Sequence, residues 1–127
     1  MLQTGRALVL TLCCLAPCVG GDWSHWRGPH ANGTAVGSGY PLEWAEDAHV
    51  VWRAALPGPG ASTPIVVDGG IFLTAADEGK NALMRYDLQG GEVWRRHVNE
   101  IADAKHRKAT PCNSSPVSDG RHLSLIH

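Results

Sequence analysis

The sequence carries no excess of either charge, no apolar run long enough for a membrane and very little that reads as helix. It has one phenylalanine and two tyrosines beside five tryptophans. Eleven Lys and Arg stand against twelve Asp and Glu. That balance gives no electrostatic footprint for a polyanion, so neither nucleic acid nor an anionic membrane surface is an expected partner. The longest apolar or small stretch, Ala7 to Ala16, is about half of the roughly 20 residues a bilayer span requires, so no transmembrane helix is expected. Three of the four cysteines, Cys13, Cys14 and Cys18, fall near the start, leaving Cys112 alone and excluding an intrachain disulfide in the rest of the chain. The seven histidines (His25, His30, His49, His97, His106, His122 and His127) show no ligand spacing, and no metal site is expected. Gly58-Pro59-Gly60 lacks the Lys-Ser/Thr and following helix of a phosphate loop, and no serine sits in a nucleophile elbow. The residues name no catalytic group.

What is present has a clear order. Met1 to Arg6 carries one positive charge, Ala7 to Ala16 is the apolar stretch, and Pro17 to Gly21 supplies small residues. This is the sequence of parts in a secretory signal peptide, with cleavage after Gly20 or Gly21 and an extracytoplasmic, periplasmic or secreted, product. A competing reading makes Leu15-Ala16-Pro17-Cys18 a lipobox with Cys18 lipidated; Pro17, where Gly, Ala or Ser is expected, argues against that anchor. The expected division is a signal peptide over 1–20, an irregular Gly- and Pro-rich lead-in over 21–48, and a β-rich region over 49–127. Trp23 and Trp26 are expected to pack on the main body, being too large and apolar to leave in water.

From residue 49 onward, short β-prone runs alternate with turn chemistry, predicting antiparallel strands over 49–55, 63–67, 71–75, 82–87 and 92–98. Pro57 to Gly60 is a breaker. Asp68-Gly69 is a hairpin turn, because that pair readily takes positive φ. Ala76 to Asn81 reads as a polar loop, Leu88 to Gly91 as a turn, and the charged Glu100 to Lys108 as a loop or single helical turn.

The chain also repeats. Trp52-Arg53 recurs forty-two residues on as Trp94-Arg95. Ser62-Thr63-Pro64, running to Asp68-Gly69, recurs as Ser114-Ser115-Pro116, running to Asp119-Gly120. A period of roughly 40–50 residues with four strands per unit predicts an all-β propeller, of which this stretch holds about one and a half blades of four-stranded antiparallel sheet. Propellers need ~4–8 blades, so the chain reads as a fragment of a longer product. The recurring Trp52, Asp68, Gly69, Trp94, Asp119 and Gly120 are assigned structural roles, turns at the Asp-Gly pairs and seam packing at the tryptophans; Asp87 and Gly90, which flank the Leu88–Gly91 turn, are given a structural role by the resemblance described next.

The run Ala82 to Trp94, an apolar strand ending in Asp87, a Gly90-Gly91 turn and a strand reaching Trp94, resembles the tryptophan-docking repeat of the pyrroloquinoline-quinone-type propellers. Its Asp-to-Trp spacing is one residue shorter than the commonest form, and Gly90 stands where Thr-Gly is usual. Asp22-Trp23-Ser24-His25-Trp26-Arg27-Gly28-Pro29 and Leu56 to Gly60 are similar to the opening of exported bacterial members. The resemblance implies a quinoprotein-like propeller. It also implies two activities: a non-catalytic scaffold among other envelope proteins, similar to the propeller lipoprotein of the outer-membrane β-barrel assembly machinery, or a dehydrogenase oxidising alcohols or sugars with pyrroloquinoline quinone and Ca²⁺. Catalytic members add an Asp base and often a vicinal cysteine pair. Here the vicinal pair, Cys13-Cys14, lies in the segment expected to be removed, which favours the scaffold.

Overall fold

A computed structural model describes residues 21–101 and 112–125. The expected signal peptide, with the lipobox cysteine, and most of the charged loop lie outside these. All elements among the described residues are strands: β1 (Ile65–Val67), β2 (Gly70–Asp77), β3 (Lys80–Asp87), β4 (Glu92–Glu100), β5 (Val117–Ser118) and β6 (Leu123–Ser124). The first four form one antiparallel sheet in chain order; β5 and β6 form a separate hairpin.

Turn chemistry sets this meander. Asp68 and Gly69 both hold positive φ, 46° and 66°, the two-residue turn that matches strand twist. Glu78 and Gly79 do the same at 50° and 78°. The polar loop expected over 76–81 therefore shrinks to two residues, and β2 and β3 pair through to Asp77 and Lys80. The third turn is held by Asp87, whose Oδ1 accepts from the backbone N–H of Gln89 at 2.9 Å and of Gly91 at 2.8 Å.

Alternation along the strands sorts side chains onto two faces. Leu73, Ala75, Met84 and Tyr86 form one buried cluster, with Ile71 and Ala54 packed against it. Ile65, Val67 and Phe72 form the cluster on the other face, with Trp94 and Leu123 packed against it. Leu123 comes from the second hairpin, so this cluster is the seam between the two sheets.

The strand expected over 49–55 does not form. Residues 49–55 are irregular backbone, with Val51 93% exposed. The free edge of β1 carries a single bridge, in which Trp23 exchanges both backbone hydrogen bonds with Val66 at 2.7 and 3.0 Å. Without a neighbouring strand to bond, 49–55 meets the sheet through Ala54 and the chain continues across β2. There Ala76 N–H donates to the Pro59 carbonyl at 2.9 Å. The expected strand over 63–67 begins later, at Ile65, because Pro64 has no N–H to give. Ser62 extends the ladder with its side chain, donating to the Thr74 carbonyl at 3.0 Å and accepting from Thr74 N–H at 2.9 Å.

The lead-in otherwise carries no strand, as its composition predicts, apart from isolated bridges at Trp23–Val66 and Ala45–Ala48. Trp23 is half-buried against Gly28, but Trp26 stays 63% exposed, with the Arg27 guanidinium 5.3 Å from its ring centre. The expectation that both pack on the body fails for Trp26, and Trp23 joins the body through its backbone bridge to Val66 while its ring lies against Gly28 of the lead-in.

The glycines of the 57–60 segment are required by contact. A Cβ at Gly60 would lie 2.8 Å from the Thr74 carbonyl oxygen and one at Gly58 2.6 Å from that of Ala76. Both obstacles are backbone and cannot swing aside. Gly60→Ala should cost about 1–3 kcal/mol as an overpacking change, read as a melting temperature lowered by several degrees. Gly33→Ala, where a Cβ meets nothing within 4 Å, carries backbone strain alone and should cost less.

Candidate functional site

The described residues gather chemistry at three places: the turn where Trp52 docks, an ionic network on the outer strand, and the seam between the two sheets.

Trp52 leaves its irregular segment and lies over the β3–β4 turn. Its indole N–H donates to the Leu88 carbonyl at 2.8 Å. Its ring covers Gly90, where a Cβ would come within 2.6 Å of the indole. Gly90 has φ of 87°, so glycine serves both the left-handed backbone and the ring's approach. Asp87, Gly90 and Trp52 thus meet at one turn. Trp94 is half-buried elsewhere, beside Phe72 at 6.0 Å between ring centres and 55° between planes, with the Arg96 guanidinium 5.5 Å from its ring. It packs at the inter-sheet seam and not on a turn.

The second hairpin repeats the first with a longer turn. Asp119 Oδ1 accepts from the N–H of Arg121 at 2.8 Å and of His122 at 2.7 Å, and Gly120 has φ of 88°. Ser118 Oγ accepts from Gly120 N–H at 3.0 Å and donates to the His122 carbonyl at 2.8 Å. The His122 Nδ1 contact at 3.1 Å, together with those backbone donors, holds the Asp119 carboxyl well below the usual carboxylate range. So Asp119-Gly120 shapes a four-residue turn where Asp68-Gly69 shapes a two-residue one.

The ionic network was not visible in the sequence, because its members come from three strands. Asp77 Oδ2 meets His97 Nε2 at 2.8 Å and an Arg95 terminal nitrogen at 3.1 Å. Arg95 also grips Glu92 through Nε at 3.0 Å and a terminal nitrogen at 2.7 Å. Tyr86 OH donates to Glu92 Oε2 at 3.4 Å. The His97 and Arg95 hydrogen bonds hold the Asp77 carboxyl below its ordinary value, and Arg95 does the same for Glu92. Burial, with the Glu92 charge beside it, pushes the Tyr86 phenol up. The register explains the cluster: Tyr86, Met84 and Ala82 of β3 face Glu92, Arg95 and His97 of β4. Cys112, the lone later cysteine, is buried and donates to Asn81 Oδ1, and burial raises its thiol.

At the seam, the register lines Ile65, Phe72, Arg85 and Trp94 across the four strands of the first sheet. Arg85 is the charged member of an otherwise apolar row. Its guanidinium lies 5.8 Å from the Phe72 ring centre, and its buried Nε has no hydrogen-bond partner. Among the described residues, no group of three or more His, Cys, Asp or Glu converges as a metal site would, and no helix is long and apolar enough to cross a membrane.

Comparison with protein-family models, with curated proteins and with solved structures finds no match to this chain. The class that the described residues define is all-β, a four-stranded antiparallel meander with a second hairpin packed on one face of it.

Asp77 and Glu92 give the fold a pH dependence of known sign. A carboxylate whose folded-state pKa is depressed stabilises the fold above its unfolded pKa and loses that contribution as pH falls through the folded value. The melting temperature should therefore hold steady from neutral pH down to about 5 and drop below about 4. Asp77→Asn should lower it at neutral pH and flatten the acid limb. An acid limb unchanged in Asp77→Asn, followed by circular dichroism, would remove the network from the account.

Proposed function

We propose that the chain is the beginning of a quinoprotein-like β-propeller that works as a non-catalytic, extracytoplasmic binding or assembly scaffold among envelope proteins. The observation that carries this reading is the Trp52 contact with the Leu88–Gly90 turn. A tryptophan from one repeat lies on the glycine turn of the next, with its N–H on a turn carbonyl. The second hairpin, β5–β6, begins again the pattern of β1–β2. On this reading residues 49–55 are the outermost strand of another blade, matching β4 through Trp52 and Trp94, and they lack a ladder because the other strands of that blade come from elsewhere. Trp94 would then meet a turn of a further repeat through its exposed side.

The dehydrogenase alternative fares worse on the chemistry at hand. A quinone and Ca²⁺ need carboxylates free to ligate and to take a proton. Asp87 and Asp119 are spent on turn amides, and Asp77 and Glu92 on Arg95 and His97. None of these four carboxylates is therefore offered to a quinone or to Ca²⁺, which favours the scaffold.

The tryptophans provide the test. Trp52→Phe keeps a ring over Gly90 but loses the bond to Leu88, which should cost about 0.5–1.5 kcal/mol. Trp94→Ala in the intact protein should cost about 2 kcal/mol, less than the ~3–5 typical of full burial, because its ring is half-exposed. Both losses should appear in melting curves and be the same with or without added quinone and Ca²⁺. Quinone-dependent dye reduction by the intact protein, abolished in either variant with the melting temperature unmoved, would overturn the scaffold in favour of the dehydrogenase.

A further inference from the structure

We propose that the seam between the two sheets holds a binding site for a small organic carboxylate, with Arg85 as its anchor. This goes beyond the scaffold reading and does not depend on it. The seam contains a groove of about 230 Å³, walled by Val67, Phe72 and Leu123 and bordered by Arg85, Arg121 and His122. Arg85 enters from the first sheet, while Arg121 and His122 come from the β5–β6 turn opposite.

Three features set Arg85 apart from a surface arginine. Its Nε is buried without a hydrogen bond, and an orphaned buried donor destabilises the fold until a partner satisfies it. No ion pair among the described residues includes it, whereas Arg95 has two carboxylates. Its place is kept open by Gly70, where a Cβ would fall 2.7 Å from Nε and 3.0 Å from the Phe72 ring. A guanidinium presents Nε–H and a terminal N–H as a planar fork that matches two carboxylate oxygens. A ligand carboxylate in the groove pairs first with the terminal N–H groups, and a turn of the flexible side chain away from Gly70 brings Nε–H out to complete the fork, while an apolar body fits the walls formed by Val67, Phe72 and Leu123. Arg121 adds a second positive charge across the groove. Of the nearby acids, Asp119 is engaged by its own turn and His122. Asp68 borders the groove but is exposed to water.

The test follows the Arg85 Nε–H resonance by ¹⁵N NMR in the intact protein during titration with benzoate, acetate and inorganic phosphate. Benzoate should shift that resonance saturably and bind several-fold tighter than acetate or phosphate. Arg85→Lys keeps the charge without the fork and should lose most of the affinity. Arg121→Gln, on an exposed turn where folding is not at stake, should weaken it several-fold. Equal binding of all three anions would overturn the apolar half of the site. An Nε–H resonance unmoved by benzoate up to tens of millimolar, or undiminished binding in both variants, would overturn the site altogether.

Discussion

Thr74 is the point on which the two sheets depend. It is 5% exposed, and three of its polar groups are committed. Its backbone N–H and carbonyl both bond the Ser62 hydroxyl, and its own hydroxyl donates to the Ser114 carbonyl at 2.8 Å. The first pair of bonds extends the β1–β2 ladder where Pro64 has interrupted it; the third fastens the start of the second repeat to the middle of the first. Around it, Thr63 N–H donates to Ser115 Oγ and Ala61 N–H to the Cys112 carbonyl, both at 2.8 Å. Each such bond contributes about 1 kcal/mol net, but breaking one inside the fold leaves an orphaned group at greater cost. The two Ser-Ser/Thr-Pro steps that recur in the sequence are thus in register because they bond each other's surroundings.

The two faces of the sheet use missing side chains in complementary ways. Gly90 admits the Trp52 ring from a distant segment, while Gly70 admits the Arg85 guanidinium from the adjacent strand. In one case the space is filled by an apolar ring that ties a loose segment down and satisfies its own N–H. In the other it is filled by a charge whose Nε is left unsatisfied. A buried polar group without a partner is unusual enough to call for a reason, and the inter-sheet groove beside Arg85 supplies the place where a partner would sit.

How much of this was legible depended on whether the signal was local. Asp68-Gly69 and the β-prone runs of β2, β3 and β4 were readable because turn and strand patterns span a few residues. Glu78-Gly79 was missed because glutamate is an uncommon residue at positive φ, so the run 76–81 reads as loop. The strand expected at 49–55 has the right composition, but a strand needs a neighbour, and among the described residues no strand pairs with this segment. The turn over Leu88 to Gly91 could be read from its glycines, and the places of Asp87 and Gly90 in it from the resemblance to the tryptophan-docking repeat, whereas the partner of Trp52 at Leu88 could not be read. The Asp77–His97 pair and the isolation of Arg85 arise from register between strands, which no single segment encodes.

Edges explain why the faces carry the assembly. A sheet edge exposes unpaired N–H and C=O groups and invites further strands. Here the inner edge is partly closed by the Trp23 bridge to Val66, and the lead-in goes on to give the Ser24 carbonyl to Ser118 N–H of the second hairpin at 3.0 Å. The outer edge is β4, whose Glu92, Arg95, Arg96 and Glu100 place charge along it, the means by which edge strands discourage pairing. With one edge bridged and the other charged, growth by adding strands is disfavoured at both. The surfaces left to bury are the two faces, one meeting Trp52 and Ala54, the other meeting Leu123. The four-stranded unit thus buries its apolar side chains through its faces, and Trp52, which recurs as Trp94, is one of the residues that cover them.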